Sequence, residues 1–274
     1  MKIFITGSTG FVGQNLVKFY KDHEVFEHKR YMDVGAKLDY FRPDLIINCA
    51  ADIYNAEKMF EPNVRRVYEC LEYVKNNPNT RMVQIGSSAE YGPMKRASNE
   101  MDRINPVDMY QATKGAATLL CQGYARQYKL DITVARPYSV YGPGERPHRL
   151  FPRLYNAFIN NVPMTLFQGW HDFIYIDDFV RGIDMMATGG LSGDIVNFGS
   201  GEQYNNFAIA EMFKRIVGHD APITIDTKMA KAFESDVWIC DTSYAKATYG
   251  FVTEYDIMSG IKKFLDTADY KGTV

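Results

Sequence analysis

A glycine-rich turn close to the N-terminus constrains the fold of this chain more than any other feature of its sequence. The apolar run from Lys2 to Ile5 leads into Gly7-x-x-Gly10-x-x-Gly13, and apolar residues at helical spacing follow. This order indicates a strand, a tight turn and a helix. Glycines let the backbone approach a pyrophosphate closely, and free N–H groups at the start of a helix bind an anion. The pattern therefore predicts a βα unit that binds a dinucleotide, with contacts from Gly7, Thr9, Gly10, Phe11, Val12 and Gly13.

Composition narrows the class of protein. Of 274 residues, 46% are hydrophobic, and the formal net charge is -2. A chain of this kind builds one large α/β domain or two smaller lobes. Its near-neutral charge gives no electrostatic reason to expect nucleic acid or an anionic membrane as a partner. No run approaches the ~18 apolar residues of a membrane span, and no signal-peptide pattern is found. We expect a cytoplasmic protein whose partners are small molecules or copies of itself.

The four cysteines are far apart in the sequence and show no CxxC spacing. Neither a disulfide framework nor a metal site is therefore predicted from Cys49, Cys70, Cys121 and Cys240.

A tyrosine and a lysine stand four residues apart in Tyr110-x-x-x-Lys114, near the start of a helical pattern from Asp108 to Tyr128. This offset places both side chains on one face of the helix. A phenol has a pKa near ~10, and a unit positive charge ~4 Å away favours the phenolate by about 4 kcal/mol at an effective dielectric of ~20. The pair is therefore a candidate for proton transfer, although the same spacing is also typical of a solvated surface pair.

The second predicted strand, Val25 to Glu27, carries conflicting signals about the dinucleotide. Glu27 lies 20 positions after Gly7, where a carboxylate would hold a ribose diol. Lys29 and Arg30 follow immediately, and cations at this place pair with the 2'-phosphate of NADP. The cofactor is therefore NADP or NAD, with a slight preference for NADP, and a basic solvated loop remains an alternative for the two cations.

Residues Tyr31 to Val34 are predicted to form the third strand, with no helix between it and the second. On that prediction Asp33 and Val34 lie where the edge of an adenine is recognised.

Two further apolar runs are predicted strands of a buried parallel sheet. Asp44 to Ala51 ends in small residues that leave room for a flat ligand, and a predicted helix from Asn55 to Asn76 follows it. Met82 to Gly86 leads into Ser87. Since ligands of parallel α/β sheets bind at the carboxyl ends of the strands, Ser87 is a candidate site residue, although serine there is often only a turn former.

These motifs together resemble those of the extended short-chain dehydrogenase/reductases, the NAD-dependent epimerase/dehydratase superfamily. The matching segments follow one another in the same order over nearly the whole chain: Gly7-x-x-Gly10-x-x-Gly13, Asn48-x-Ala50-Ala51, Ser87-x-x-x-Tyr91-Gly92, Tyr110-x-x-x-Lys114, Arg136-Pro137-Tyr138-Ser139-Val140-Tyr141-Gly142-Pro143, Asp172 to Asp178, Asn197 to Gly201 and Asp241 to Lys246.

The resemblance implies an α/β fold, a Rossmann-type doubly wound parallel sheet with a smaller C-terminal substrate-binding lobe. It implies that Tyr110 is the proton donor or acceptor, that Lys114 binds the nicotinamide ribose and lowers the pKa of the tyrosine, and that Ser87 hydrogen-bonds the reacting oxygen. Hydride moves between the nicotinamide and a sugar carbon. The further cofactor contacts that it implies are Ala50, Ala51, Asn63, Tyr110, Lys114, Pro137 and Val140.

The residues after Ser87 bear on the type of reaction. In the resembling 4,6-dehydratases an aspartate and a glutamate follow this position, whereas here Ser88 and Ala89 do. Glu90 is one position late and lies on the opposite side if the segment is extended. Dehydration is therefore not expected. The resemblance leaves reduction of a 4-keto sugar and 4-epimerisation through a transient ketone, both at C4 of a nucleoside-diphosphate sugar.

The segments that hold the nucleotide sugar in this superfamily depart from its usual pattern. Ser139 replaces a frequent asparagine, and His171 replaces an arginine that grips the diphosphate. No clear second phosphate-binding arginine is found, and Lys231 is the nearest cation. Arginine forks suit phosphates, so replacement cations are predicted, with surface charges as the alternative. The predicted substrate contacts are Ser88, Ser139, Arg146, Arg149, Arg153 and His171.

The resemblance also implies how the chain is divided. Residues 1–145 and 172–200 are predicted to form the dinucleotide-binding domain, and 146–171 and 201–274 the substrate-binding lobe. The helices predicted at 55–76 and 108–128 resemble those of a four-helix contact, so a homodimer is expected. Two other functions remain open: a reductase of a non-nucleotide ketone or alcohol, and a dinucleotide sensor without turnover.

Overall fold

Strands and helices alternate through the first half of the chain. The computed structural model describes residues 1–229 and 236–267. In chain order the first half contains β1 (Lys2–Thr6), α1 (Phe11–Phe19), β2 (Glu24–His28), α2 (Val34–Phe41), β3 (Leu45–Asn48), α3 (Arg66–Asn76), β4 (Arg81–Ile85), α4 (Met109–Tyr128) and β5 (Ile132–Pro137). The second half contains β6 (Ser139–Tyr141), α5 (Leu150–Asn160), β7 (Met164–Gln168), β8 (Trp170–Tyr175), α6 (Ile176–Gly189), β9 (Ile195–Phe198), β10 (Gln203–Asn205), α7 (Asn206–Val217), β11 (Ile223–Met229), α8 (Ser243–Tyr249) and α9 (Ile257–Thr267).

Six parallel strands form the central sheet, in the order β2-β1-β3-β4-β5-β9. The chain moves from β1 to β2 on one side and then returns to β3 on the other side. The direction of winding therefore reverses between β1 and β3, and ligands of doubly wound sheets bind at such a switch point. The predicted Rossmann-type fold is confirmed.

Apolar side chains leave the sheet alternately towards two helical layers, because successive residues of a strand point to opposite faces. Ile3 and Ile5 of β1 belong to the core that includes residues of α1 and α6. Phe4, between them, belongs to the core shared with α2, α3 and α4. Burial of one such side chain stabilises the fold by about 1.5–3 kcal/mol. The near-continuous apolar runs of the sequence therefore become strands that are covered on both faces.

The predicted third strand at Tyr31 to Val34 is wrong. Helix α2 begins at Val34, and the Asp33 carboxylate accepts a hydrogen bond from the Ala36 N–H at 2.7 Å. Val34 and Leu38, four residues apart, are both buried against the sheet. An aspartate N-cap and a helical apolar spacing thus outweigh the strand propensity of Tyr31 and Val34.

The predicted helix from Asn55 to Asn76 is divided into three pieces. A 3-10 turn at Ala56–Lys58 and a π-helical segment at Glu61–Arg65 precede α3. Pro62 lies in the π-helical segment, and proline has no backbone N–H to donate to a helical ladder. The irregular start places Asn63, which is buried, towards the loop that follows β3.

In the described part of the chain, two small sheets lie outside the main one. One has the order β10-β8-β6, and in the other β11 pairs in parallel with β7. Within residues 172–200, which were assigned to the dinucleotide-binding domain, β9 joins the main sheet, whereas β8 pairs with β6 and β10. Helices α7 and α9 pack against these small sheets, and α5 packs against α7.

Within residues 1–229 and 236–267, none of the helices combines the length and the apolar character that crossing a bilayer requires.

Candidate active site

The three predicted catalytic side chains meet at the carboxyl edge of the central sheet. Ser87 follows the end of β4, and Tyr110 and Lys114 occupy the first turns of α4. Asp108 caps that helix, because its carboxylate accepts a hydrogen bond from the Gln111 N–H at 2.8 Å. Tyr110 lies close enough to Ser87 for that side chain to lower the pKa of the phenol. Ser87 and Tyr110 are 23 positions apart in the sequence, and their side chains lie near each other in the fold.

The pKa of Tyr110 is raised, against the prediction from its spacing to Lys114. Burial of the phenol is the largest cause, and the hydrogen bond from Ser87 and the charge of Arg149 act in the opposite direction. The Lys114 ammonium donates instead to the Ile85 carbonyl oxygen at 2.5 Å. Burial lowers the pKa of Lys114, and the charge of Glu90 opposes that shift. The lysine is therefore held by the backbone of β4 rather than by the tyrosine.

The glycine turn has the close backbone packing that a dinucleotide site requires. Gly7 has φ +64° and lies against the backbone of Ala50, since a Cβ atom there would be 2.8 Å from the Ala50 nitrogen. A Cβ atom on Gly13 would be 2.2 Å from the Gly7 carbonyl oxygen. Gly10 caps α1 without any side-chain hydrogen bond, so the helix start remains available for an anion. Thr9 lies in the glycine turn, and Phe11 and Val12 are the first two residues of α1. These residues fit the pyrophosphate of a dinucleotide.

The loop after β3 borders the same groove. Ala50 is partly exposed and Ala51 is exposed, as expected for small residues that leave room for a ligand. Asn63 holds this loop, because its amide nitrogen donates to the Asp52 carbonyl at 2.9 Å and to the Thr113 hydroxyl at 3.0 Å. Its amide oxygen accepts from the Asp52 N–H at 2.7 Å. The side chain of Asn63 thus braces the loop against α4, and its contact with the cofactor stays a prediction.

Lys29 and Arg30 are exposed and follow the end of β2, which is the edge strand beside β1. Hydrogen bonds from Asn55 and Tyr54 lower the pKa of Asp52, and the charges of Arg30 and Arg146 lower it further. The charge of Arg30 therefore reaches Asp52 across the outer end of the groove. Asp33, predicted to read the adenine, is used as the cap of α2, and Val34 is buried.

The predicted substrate residues have different surroundings. The charge of Arg149 acts on Tyr110, and its Nε lies 3.3 Å from a Glu145 carboxylate oxygen. Arg153 donates to the Thr165 carbonyl in β7 at 2.7 Å, so it is engaged within the small lobe. Ser139 in β6 lies 3.3 Å from the imidazole of His171 in β8, and Arg146 lies 5.1 Å from the ring of Tyr54. Ser88 is buried beside Ser87, and the predicted cofactor contacts Pro137, at the end of β5, and Val140, in the middle of β6, are partly exposed.

The sequence interpretation missed the role of Glu90. Residues Ser88–Tyr91 form a 3-10 helix rather than an extended segment, and Glu90 is fully buried. Its carboxylate accepts from the Ser87 N–H at 2.8 Å and from Arg136 at 2.8 Å. Ser87 and Glu90 form a capping box, and the Ser-x-x-Glu spacing is the sequence signal that would have revealed it. Glu90 therefore holds Ser87 in place and is not available as a general acid.

A contact across the groove was also missed. The loop after β6 lies on α1, where Asn15 donates to the Pro143 carbonyl at 3.3 Å. Further along, His148 lies 2.5 Å from the Tyr54 hydroxyl in the loop after β3. The loop therefore joins α1 to the far side of the groove. The residues involved are 94 positions apart, and nothing in the sequence indicated their contact.

A family model described as the NAD dependent epimerase/dehydratase family matches residues 3–199. The chain belongs to this family. The resemblance to the extended short-chain dehydrogenase/reductases, and the prediction of an NAD(P)-dependent enzyme of that type, are confirmed.

Relatives within the family have several activities. A dTDP-D-glucose 4,6-dehydratase of Dictyostelium discoideum is 24% identical over 77% of this chain, which spans 61% of that relative's length. An uncharacterised UDP-glucose epimerase of Bacillus subtilis is 24% identical over 96% of this chain and 95% of its own. A UDP-glucuronic acid 4-epimerase of Bacillus cereus, solved with UDP-glucuronic acid and NAD, is 22% identical with a TM-score of 0.87, covering 97% of this chain and 98% of that one. These relatives modify nucleotide sugars, and the solved one carries NAD.

Proposed function

We propose that this protein carries out NAD(P)-dependent redox chemistry at C4 of a nucleoside-diphosphate sugar. The observation that carries this proposal is the proximity of Ser87 to Tyr110 at the edge of the sheet where the glycine turn also lies. Of the two reactions open to such a site, 4-epimerisation has the better support. A relative named as a UDP-glucose epimerase aligns with 96% of this chain, and solved epimerases share its fold.

Each catalytic residue has a separate task in the proposed reaction. Tyr110 takes the proton from the C4 hydroxyl and returns it later, which is general acid/base catalysis. Ser87 hydrogen-bonds the same oxygen and stabilises the charge that develops there. Lys114 is one turn from Tyr110 on the same helix, and its task in the proposed reaction is to hold a hydroxyl of the nicotinamide ribose. When bound, the nicotinamide supplies the hydride acceptor and donor.

The surroundings of Ser87 count against a dehydratase. Elimination of water needs an additional acid and base beside the sugar. Ser88 and Ala89 carry no carboxyl group, and Glu90 is paired with Arg136 inside the protein. Oxidation and reduction at C4 need none of these groups. The absence of a second acid/base pair next to Ser87 therefore favours epimerisation or simple reduction.

The cofactor is proposed to be NAD, with NADP as the alternative that Lys29 and Arg30 favour. Several related structures were solved with NAD, and no solved relative described above supports the preference for NADP. We expect the double variant Lys29→Gln/Arg30→Gln to weaken NADPH by about tenfold and NADH much less, because charge-assisted hydrogen bonds to phosphate are lost. Calorimetric titration with both dinucleotides measures this difference.

Lys21→Gln is the matched control for that comparison. Lys21 is also exposed, but it precedes β2 and therefore lies at the amino end of that strand, whereas Lys29 and Arg30 follow its carboxyl end. Equal weakening of NADH and NADPH by the double variant would remove the argument for NADP.

The diphosphate of the substrate is proposed to bind near Arg149, whose charge already acts at Tyr110. His171 and Ser139 lie within hydrogen-bonding distance of each other, on the neighbouring strands β8 and β6. Lys231, the other cation considered from the sequence, lies outside the described residues.

Turnover of the Tyr110→Phe variant tests the proposal. We expect the variant to keep its affinity for the dinucleotide while its turnover falls by about 10²-fold or more, because only the proton-transferring hydroxyl is removed.

Proton NMR of a UDP-sugar mixture follows the reaction directly. Conversion to the C4 epimer without net consumption of cofactor identifies an epimerase, whereas stoichiometric oxidation of NAD(P)H by a 4-keto sugar identifies a reductase. Tyr40→Phe, which alters an exposed tyrosine of α2, is the control for Tyr110→Phe.

A further inference from the structure

Three polar side chains form a buried row across the carboxyl edge of the central sheet. Thr6 pairs with Asn48 in the register of β1 and β3, and Asn48 pairs with Gln84 in the register of β3 and β4. All three are buried, with exposures of 0%, 0% and 1%. The residues two positions earlier in the same strands are apolar and belong to the core beside α4. A polar row therefore borders an otherwise apolar layer.

The row is joined by hydrogen bonds that all run in one direction. The Ala50 N–H donates to the Thr6 hydroxyl at 3.2 Å, and that hydroxyl donates to the Asn48 amide oxygen. The Asn48 amide nitrogen donates to the Gln84 amide oxygen at 2.7 Å, and the Gln84 amide nitrogen donates to the Ile85 carbonyl at 2.8 Å. Buried amides are costly unless they are hydrogen-bonded, and aligned hydrogen bonds strengthen one another. The orientation of each side chain in the row therefore depends on the hydrogen bonds that it makes with its neighbours.

The row ends at the oxygen that holds Lys114. The Ile85 carbonyl accepts from Gln84 and, at 2.5 Å, from the Lys114 ammonium. A carbonyl oxygen has two lone pairs, so the Gln84 amide occupies one and leaves the other to Lys114. The direction from which the lysine approaches is therefore set by Gln84. The other end of the row is the amide of Ala50, the residue against which Gly7 packs.

We propose that Asn48 and Gln84 are positioning residues of the active site. By orienting the Ile85 carbonyl, they hold the Lys114 ammonium at the place from which it serves Tyr110. Both side chains are buried, and each acts through the next hydrogen bond of the row. The inference rests on the proposed function for its effect on turnover, and on the contacts of Lys114 alone for its structural part.

The variant Gln84→Met tests the proposal, because methionine matches glutamine in length but donates no hydrogen bond. We expect kcat to fall by about 10- to 100-fold with the substrate KM within about twofold of the parent, because a small misplacement of a catalytic group is costly. The pH profile of kcat shifts with it. Asn48→Leu should have a similar effect, and the double variant should be no worse than either single one, since all three interrupt the same row.

Thr133→Val is the matched control. Thr133 lies in β5, the strand next to β4, is fully buried, and its hydroxyl has no hydrogen-bond partner within the part of the chain that the structure describes. Removal of this hydroxyl should leave kcat and its pH profile unchanged. Loss of activity equal to that of Gln84→Met would show that any buried polar deletion in this sheet has the same effect and would overturn the proposal.

A measurement without substrate separates this proposal from the proposed function. In protein labelled with nitrogen-15 at lysine, the Nζ resonance of Lys114 is identified by its loss in Lys114→Arg. We expect Gln84→Met to move that resonance and its titration, and Thr133→Val to leave both in place. An unmoved resonance overturns the positioning role even if a sugar nucleotide is turned over. If the parent protein turns over no nucleotide sugar, the proposed function fails while the resonance still decides the positioning role.

A second variant covers the case in which Gln84→Met does not fold. Thr6→Val removes only the hydroxyl at the start of the row and conserves its shape. We expect a smaller change in the same direction, in both kcat and the Lys114 resonance. No change in either would overturn the proposal.

Discussion

Glu145, in the loop after β6, is a carboxyl group whose ionisation works against the fold. Burial raises its pKa to about 7, and Arg149, 3.3 Å from one carboxylate oxygen, opposes that shift only in part. A raised pKa in the folded state means that the stabilisation is complete below about pH 4.5 and is lost as the pH rises through 7. We expect the native protein to lose about 2 kcal/mol from this group between about pH 5 and about pH 8.

The variant Glu145→Gln isolates this effect, because its neutral amide has nearly the same shape. Urea denaturation at both pH values should show that the variant gains about 2 kcal/mol relative to the parent at the higher pH. Glu57→Gln, at an exposed position, is the control. A difference between Glu145→Gln and the parent that does not change with pH would contradict the expected ionisation of Glu145.

At the scale of single residues, sequence patterns predict what is local. The four-residue spacing of Tyr110 and Lys114 and the place of Ser87 after a strand are such patterns, and the structure brings these residues together. The ion pair of Glu90 with Arg136 joins positions 46 apart, and no local pattern encodes its partner. The pKa of Tyr110 was misjudged for the same reason, because burial and the Ile85 carbonyl that engages Lys114 are tertiary effects.

Two glycines in helices contrast in what surrounds them. A Cβ atom on Gly13 in α1 would lie 2.2 Å from the Gly7 carbonyl oxygen, whereas one on Gly123 in α4 would meet nothing within 4 Å. We expect Gly13→Ala to lose about 1–3 kcal/mol of stability and most of its dinucleotide affinity, since the backbone of the turn must shift. Gly123→Ala should gain about 0.5–1 kcal/mol, because alanine restricts the unfolded chain. Thermal unfolding with and without NAD measures both changes.

At the scale of elements, apolar periodicity located the helices and strands that pack on the sheet, and it failed where a local signal competed with it. The aspartate cap at Asp33 was overlooked in favour of the strand propensity of Tyr31, so α2 was missed. Pro62 interrupts the predicted helix from 55 to 76. The small sheet of β6, β8 and β10 was not predicted. Two of its strands, β6 and β10, have three residues each, which are too few positions for a periodic pattern.

For the whole molecule, the surface of α3 and α4 bears on the expected homodimer. Apolar side chains are exposed on both elements and on the segment before α3: Phe60 at 58%, Tyr68 at 47% and Leu119 at 58%. Their spacing places Phe60 and Tyr68 on one face, eight residues apart. We propose that two copies of the chain cover this surface by packing α3 and α4 of each into a four-helix contact. A stable dimer buries roughly 800 Å² on each partner, which two helices of this length supply.

Replacing Leu119 by arginine distinguishes a shared surface from a merely exposed one. A guanidinium at the centre of the four-helix contact would face its copy across the symmetry axis, unpaired and partly desolvated, so we expect Leu119→Arg to be monomeric at micromolar concentration. Leu191→Arg is a closely matched control, since Leu191 is also 58% exposed but lies between α6 and β9. Sedimentation velocity should give a dimer for the parent and for Leu191→Arg. A parent that sediments as a monomer, or a Leu119→Arg variant that still sediments as a dimer, would place any association elsewhere. If Leu119→Arg remains folded and keeps its turnover as a monomer, each active site is complete within one chain, as the placement of Ser87, Tyr110 and Lys114 at one edge of the sheet leads us to expect.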